Sequence, residues 1–158
     1  MTLRSITNLI KFYPSYLGAG ISIKYVNEAF TKITSQMKMH WYNRNAVGTH
    51  FGGSLYSMCD PFYMFILMEH LGKDYIVWDK SASINFIKAE KKTVLATFEI
   101  SLDKIAEIKK MVDENGKGNF TFHTNIVTEA GEIVAAVEKV VYVRNKQFKF
   151  QSKTTDHS

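Results

Sequence analysis

Apolar residues recur along this chain at two spacings, and the switch between them marks out the elements. Leu3, Ile6, Ile10 and Tyr13, with Leu9 beside them, stand at helical spacing and predict an amphipathic helix over 2–13 halted by Pro14. After Gly18-Ala-Gly20 the period drops to two. Ile21, Ile23 and Tyr25 alternate with Ser22 and Lys24, and Ile33, Met37 and Met39 alternate with Thr34, Gln36 and Lys38, giving two half-buried strands joined around Asn27-Glu28. Between Leu55 and Met68 the pattern is apolar on nearly every side, and about 14 residues is too short to span a bilayer, so a core helix is expected there. Strand spacing then returns: Ala82, Ile84 and Phe86 face one way, and Val94, Ala96, Phe98 and Ile100 repeat the pattern. Leu102, Ile105, Ile108, Met111 and Val112 predict a helix over 102–115, opened by Ser101 as N-cap and closed at Asn115-Gly116. Phe120, Phe122 and Ile126 form a fifth strand, and Ile133, Ala135, Val137 and Val141 a sixth.

These elements sum to a single α+β domain. About six antiparallel strands run as a meander, with one long apolar helix inserted after the second, and the greasy face of such a sheet needs that helix as its cover. The N-terminal helix 2–13 precedes a core of 21–144, and 147–158 reads as a polar tail. No repeat, low-complexity run or linker divides the 158 residues.

Asp60 is the one charge between Leu55 and Met68, and burying a carboxylate costs several kcal/mol unless something compensates it. Two explanations compete. Asp60-Pro61 could open a helix as N-cap and first residue. Alternatively the helix starts at Gly52-Gly53 and passes through a kink at Pro61, where the bond to the Ser57 carbonyl is lost. In that second case Gly53, Ser57, Asp60 and Met64 share a stripe, with Asp60 roughly 10 Å along the axis from Gly53. Such a helix presents free N–H groups at its glycine end and a carboxylate two turns on. Glycine N–H groups suit the oxygen of an ester-type carbonyl as it gains negative charge, and a carboxylate can orient water or attack directly. The separation is too long for one chain to serve one carbonyl with both, so catalysis implies a dimer.

Composition narrows the setting. The start of the chain lacks a signal peptide's apolar run, and Cys59 is alone within the core helix, so neither a disulfide nor a zinc ligand set is expected and the cytoplasm is the default. Cys59 reads as a small core hydrophobe. The formal charge of +5 favours anionic partners, but the basic residues are scattered and form no nucleic-acid-binding motif. A phosphorylated small molecule fits the charge as well. Neither a bound metal, a separate cofactor, nucleic acid nor membrane insertion is expected.

The order of elements, together with Asn45-x-x-Gly48-x-x-Phe51-Gly52-Gly53 and Asp60 seven residues after the second glycine, resembles the hotdog-fold acyl-CoA thioesterase superfamily. Within it the chain is similar to the phenylacetyl-CoA thioesterase-like branch, and to a subset carrying a Val77-Trp78-Asp79-Lys80-like segment. The likeness covers roughly residues 21–144. It implies a curved antiparallel sheet wrapped around a helix over Gly53 to Leu71, assembled as a homodimer or homotetramer. It further implies that backbone N–H groups of Gly52 and Gly53 polarise a thioester carbonyl, that Asp60 of the other subunit is the nucleophile or water-orienting base, and that Asn45 supports the site. His50, Phe51, Ser57 and Lys88 are the candidates for contact with substrate, Lys88 lying near the strand-end position that meets the CoA nucleotide. The family's His-Gly-Gly reads Phe51-Gly52-Gly53 here, so His50, displaced by one residue, does not inherit the histidine's role and is expected to pack the loop. Asp79-Lys80 is either a strand-end ion pair, the favoured reading, or a contributor to the site.

The implied activity is hydrolysis of an acyl-CoA thioester to free acid and CoA, with coenzyme A as part of the substrate. Two alternatives share the fold: an enoyl-thioester hydratase using His50 and Asp60 as an acid–base pair, and a non-catalytic acyl-CoA-binding module.

Overall fold

Six strands form one antiparallel sheet in the computed structural model, which describes Thr7 and residues 9–148. They are β1 (Ile21–Val26), β2 (Lys32–Met37), β3 (Tyr75–Phe86), β4 (Val94–Glu99), β5 (Lys117–Thr128) and β6 (Ile133–Asn145). Their order across the sheet is β1-β2-β4-β5-β6-β3, with every neighbouring pair antiparallel. The expected meander therefore needs a correction. β3 does not lie between β2 and β4 but crosses to the far edge beside β6, so the chain between β2 and β4 spans the whole width of the sheet. That crossing stretch contains the apolar helix, which lies across the inner face of the curved sheet.

Most period-two positions pack inward as expected, whereas Tyr25, beyond a register shift in β1, and Ile133, at the start of β6, are exposed. Ile33 and Met37 of β2, Val94, Ala96 and Phe98 of β4, Ile126 of β5 and Val141 of β6 are fully buried. Ser35 shares that phase on β2 and is equally buried, with its hydroxyl donating to the Met58 carbonyl at 2.7 Å. A polar side chain at a core position is thus satisfied by the helix it faces.

β3 changes phase partway along. Tyr75, Val77 and Asp79 share the inner phase, and beyond a bulge between Asp79 and Ser81 the inner positions become Ala82, Ile84 and Phe86, opposite Lys139, Val137 and Ala135. The extra residue is Lys80. One inserted residue reverses the facing of everything after it, which keeps both Asp79 and Phe86 on the inner face. Phe86 is nevertheless 53% exposed, because the helices leave that end of the edge strand uncovered.

The central helix comes in two pieces, α2 (Gly52–Ser57) and α3 (Phe62–Leu71), numbered after α1 (Pro14–Ala19). α3 buries Phe62, Tyr63, Ile66, Leu67 and Leu71. The helix expected over 102–115 is α4 (Leu102–Asn115): the Ser101 hydroxyl accepts from Lys104 N at 3.2 Å, Ile105, Ile108 and Val112 are buried, and Gly116 ends it with φ at +81°, a backbone angle that L side chains rarely adopt.

At the N-terminus the expectation is met in part. Half of the helix placed over 2–13 lies outside the described residues; Thr7 and Leu9 are helical, and at its end Ile10–Phe12 is a single 3-10 turn. The helical stretch stops there as expected, with Tyr13 extended before Pro14, and Pro14 also opens α1, because a missing N–H costs nothing in a first turn. The tail beyond residue 148 likewise lies outside the described residues.

Phe62 is the keystone between helix and sheet, fully buried with its ring centroid 4.9 Å from that of Phe98. Phe62→Ala should destabilise the protein by about 3–5 kcal/mol, read as a shift in the urea midpoint at unchanged slope.

Candidate active site

Pro61 cannot donate to the Ser57 carbonyl, and the chain takes another route: Asp60 N donates to Ser57 O at 3.2 Å, and Cys59 N to Tyr56 O at 2.9 Å. The helix stops at Ser57 and resumes at Phe62, with Pro61 at the cap position of α3 and no side chain capping it. Asp60 is therefore neither an N-cap nor part of one kinked helix. It sits in the break, and the stripe drawn through Gly53, Ser57 and Asp60 on a continuous helix does not exist. The neighbouring Cys59 is fully buried, and burial pushes its thiol up to about 12, as befits a packing residue.

What compensates Asp60 is a lysine from the far side of the fold. Lys139 of β6 is fully buried, and its Nζ lies 3.0 Å from Asp60 Oδ1 and 2.8 Å from Asp79 Oδ2. The ring of Tyr56 lies 5.3 Å from the same ammonium. Asp79 is thus paired with Lys139 and not with the adjacent Lys80, which the bulge turns the other way. Neither Asp79 oxygen has a well-directed hydrogen bond to a group other than this cluster, and both are shut off from solvent.

One cation between two carboxylates leaves a deficit of one positive charge. Burial, then a hydrogen bond with Asp60, raises the Asp79 pKa to about 6. For Asp60 burial also acts upward, but the hydrogen bond from Asp79 and the attraction of Lys139 outweigh it and hold the carboxyl below its ordinary range. Burial pulls the Lys139 ammonium down, yet its two carboxylates more than reverse this and keep it charged. Below about pH 6 the cluster carries one proton, on Asp79, while Asp60 stays ionised with its side chain 48% exposed.

The glycine end of α2 is built by the loop before it. Asn45 organises that loop: its Oδ1 accepts from Val47 N and Thr49 N, and its Nδ2 donates to Thr49 Oγ1 at 2.9 Å and His50 O at 3.3 Å. His50 is buried, and its Nε2–H donates to the Lys92 carbonyl at 2.8 Å, so it fastens the loop to the strand connection over 88–92, as expected of a packing residue. Among the described residues nothing accepts from the N–H groups of Gly52 and Gly53, the first two of α2. A side chain at Gly52 would meet the Phe86 ring at 3.0 Å, and one at Gly53 the Phe51 ring at 2.6 Å. Two exposed aromatic rings therefore lie against the two glycines, and any larger residue would push them aside. Ser57 is used internally, its hydroxyl donating to Gly53 O at 2.8 Å. Lys88 is held by Glu132 at 2.7 Å and Glu90 at 3.4 Å.

The expected residues fall into two groups. Asn45, His50, Gly52 and Lys88 line one cavity of about 340 Å³. Asp60 lines another, of about 660 Å³, with Leu9, Phe12, Tyr13, Tyr16 and Phe65. The two cavities share no lining residue. Sequence reasoning missed Lys139 altogether, although it stands on the apolar phase of β6 between Val137 and Val141, where a charge needs a partner. Among the described residues no group of three or more His, Cys, Asp or Glu is arranged to hold a metal ion, and no helix is long and apolar enough to cross a membrane.

This sheet and divided helix define a hotdog fold, and solved structures bear the class out. A probable thioesterase of unknown function from Pseudomonas aeruginosa superposes with a TM-score of 0.78 at 15% identity, over 92% of this chain and 97% of its own. A Haemophilus influenzae thioesterase gives 0.67 at 16% identity, over 96% of each chain. A hypothetical thioesterase from Streptococcus pneumoniae, crystallised with coenzyme A, gives 0.59 at 16% identity, over 87% of this chain and 97% of its own. More narrowly, the chain belongs to the family described as domain of unknown function DUF4442, whose profile matches residues 5–143. No curated protein matches it.

The shared proton has a measurable signature. Folding raises the Asp79 pKa from 3.8 to about 6, so the native state holds that proton more tightly than the unfolded chain does; the stabilisation is complete below 3.8 and is lost as the pH rises through about 6. Asp79→Asn, which cannot ionise there, removes this dependence. Wild-type stability should fall relative to the variant between about pH 4 and about pH 7 in urea titrations, and a constant difference across that window would take the proton off Asp79.

Proposed function

We propose that this protein hydrolyses acyl-CoA thioesters to free acid and CoA. The observation that carries the reading is the Asp60 carboxylate, held ionised by Lys139 and Asp79 and left half exposed on the wall of an apolar cavity. A carboxylate so held can take a proton from an attacking water or add to the thioester carbon itself. The unengaged N–H groups of Gly52 and Gly53 are donors for the oxyanion that forms. At six residues α2 has little macrodipole, so these act as individual donors.

In the water route, Asp60 accepts one proton as the water oxygen bonds to the carbonyl carbon. The tetrahedral oxyanion then collapses, the carbon–sulfur bond breaks, and the departing thiolate takes a proton from the Asp60–Asp79 pair. Asp79 suits this work because its raised pKa, about 6, lets it take up a proton from Asp60 and pass it on. The crystallisation of a similarly folded thioesterase with coenzyme A supports the choice of ester.

Asp60 and the glycine donors line different cavities of one chain, which supports a site completed by a second copy, as a homodimer or a higher assembly. The free edge of β3, with Phe86 beside Gly52, is the side on which that copy would dock. The hydratase alternative is disfavoured by His50, whose ring is buried and tied to Lys92 O and lines the cavity that Asp60 does not.

Thiol release from a panel of CoA esters tests the activity, and Asp60→Asn should lower kcat by about 10²-fold or more; a loss under about tenfold removes Asp60 from the chemistry. Gly52→Pro deletes one donor at a first-turn position whose backbone suits proline, provided the exposed Phe86 ring, 3.0 Å from the added Cβ, shifts slightly. If the site is shared, mixing the two inactive variants should restore activity, since a mixed dimer holds one intact site. No rescue after subunit exchange would refute the shared site, and CoA esters that raise the Tm without any thiol release would refute hydrolysis.

A further inference from the structure

Leu9, Phe12 and Tyr13 are 53%, 64% and 58% exposed although all three are large and apolar. They are not scattered. With Tyr16 and Phe65 they surround the cavity of about 660 Å³ whose one charged lining residue, among the described residues, is Asp60. A volume of that size, walled by apolar and aromatic groups with a single charge at one point, is the form of a small-molecule site. Its walls offer few partners to hold ordered water, and a cluster of exposed apolar side chains marks a surface that something apolar covers. The cavity beside Gly52, by contrast, is lined by Asn45, His50, Lys88 and Glu90 and suits the polar part of a ligand.

We infer that the cavity between the N-terminal segment and the helix break takes the hydrocarbon portion of the acyl group, and that Leu9, Phe12 and Tyr13 set how much of it fits. The occupant follows from Asp60, on the reading that this carboxylate works on the thioester carbonyl: the chain attached to that carbonyl has the adjoining apolar cavity as its place. The same charge tells the ester from the acid. A neutral ester meets Asp60 without repulsion, whereas the carboxylate product meets a like charge, so the site that accepts the chain also drives the acid out. Acyl groups bearing a negative charge are excluded on the same ground.

The test uses the full chain and S-alkyl-CoA thioethers, which lack the carbonyl and cannot be hydrolysed, kept below micellar concentrations. By calorimetry, the affinity of the wild type should tighten by up to about fourfold per added methylene until the cavity is full. Leu9→Trp, at an exposed position that tolerates bulk, should end that rise at a shorter chain. Phe12→Ser removes part of the wall and should flatten the slope; it serves if the first variant does not fold, as judged by circular dichroism. A flat series in the wild type, or slopes unchanged in a folded variant, overturns the assignment. Because the thioethers report binding without turnover, a rising series with no thiol release from the parent esters leaves the acyl site standing while hydrolysis fails. Thiol release with a flat series does the reverse.

Discussion

A lysine ammonium with no access to solvent has to be answered by negative charge, and in this fold the answer comes from two places far apart in sequence. Lys139 draws Asp60 from the helix break and Asp79 from the edge strand to within 3.0 and 2.8 Å of one nitrogen. β6, β3 and the interrupted helix are thereby fixed relative to one another by directional contacts, where apolar packing alone would tolerate sliding. Such clusters rarely stabilise a protein more than a well-packed apolar core would, since the charges lose their hydration on burial. What the cluster does to Asp60 accounts for it better: a carboxylate beside a greasy cavity would otherwise take up a proton and lose its use as a base.

The break in the helix serves the same end. Had α2 run unbroken into α3, residue 60 would have been one more position on an apolar rod, its direction set by the helical repeat. With Pro61 unable to donate, the turn over Met58 to Pro61 opens, and the freed groups are answered locally, the Met58 carbonyl by the buried hydroxyl of Ser35. The polar residue on the apolar phase of β2 and the lysine on the apolar phase of β6 are both explained by this opening. Local rules are broken at three places that meet in space, which is the pattern expected where structure has been bent to a chemical purpose.

Much of this could be read from the chain before any coordinates. Period-two spacing located all six strands, and Ser101 and Gly116 bracketed their helix, because those signals are local and each residue reports on its own surroundings. The isolated charge of Asp60 marked the site for the same reason. The partner did not announce itself: Lys139 is a charge on the apolar phase of β6, but nothing in its neighbourhood says that residue 60 lies opposite. Asp79 was paired with Lys80 because adjacency is the only distance a sequence displays, and the bulge that parts their directions depends on register with β6. Similarly, the position of β3 at the far edge follows from the long crossing over the inner face, a tertiary preference with no signature in the spacing of apolar residues. Pro14 told half its story, since a proline can end one helix and begin the next and only the following residues show the second.

The arrangement also explains why the glycine donors and the carboxylate are kept apart within one chain. A single chain that placed Gly52 and Asp60 against the same carbonyl would bring free N–H groups next to an ionised carboxylate, and the two would satisfy each other with no ligand present. Separation across the break prevents that self-quenching. The donor glycines stay against Phe51 and Phe86, and the carboxylate stays with Lys139. The inner-face residues of β3 beyond the bulge are the ones the helices fail to cover, and the strand's outer edge is unpaired among the described residues. An open edge of this length is ordinarily protected from association by charge or by cover. Here it runs beside the glycine donors, so the edge most in need of a neighbour is the one that the proposed shared site would use.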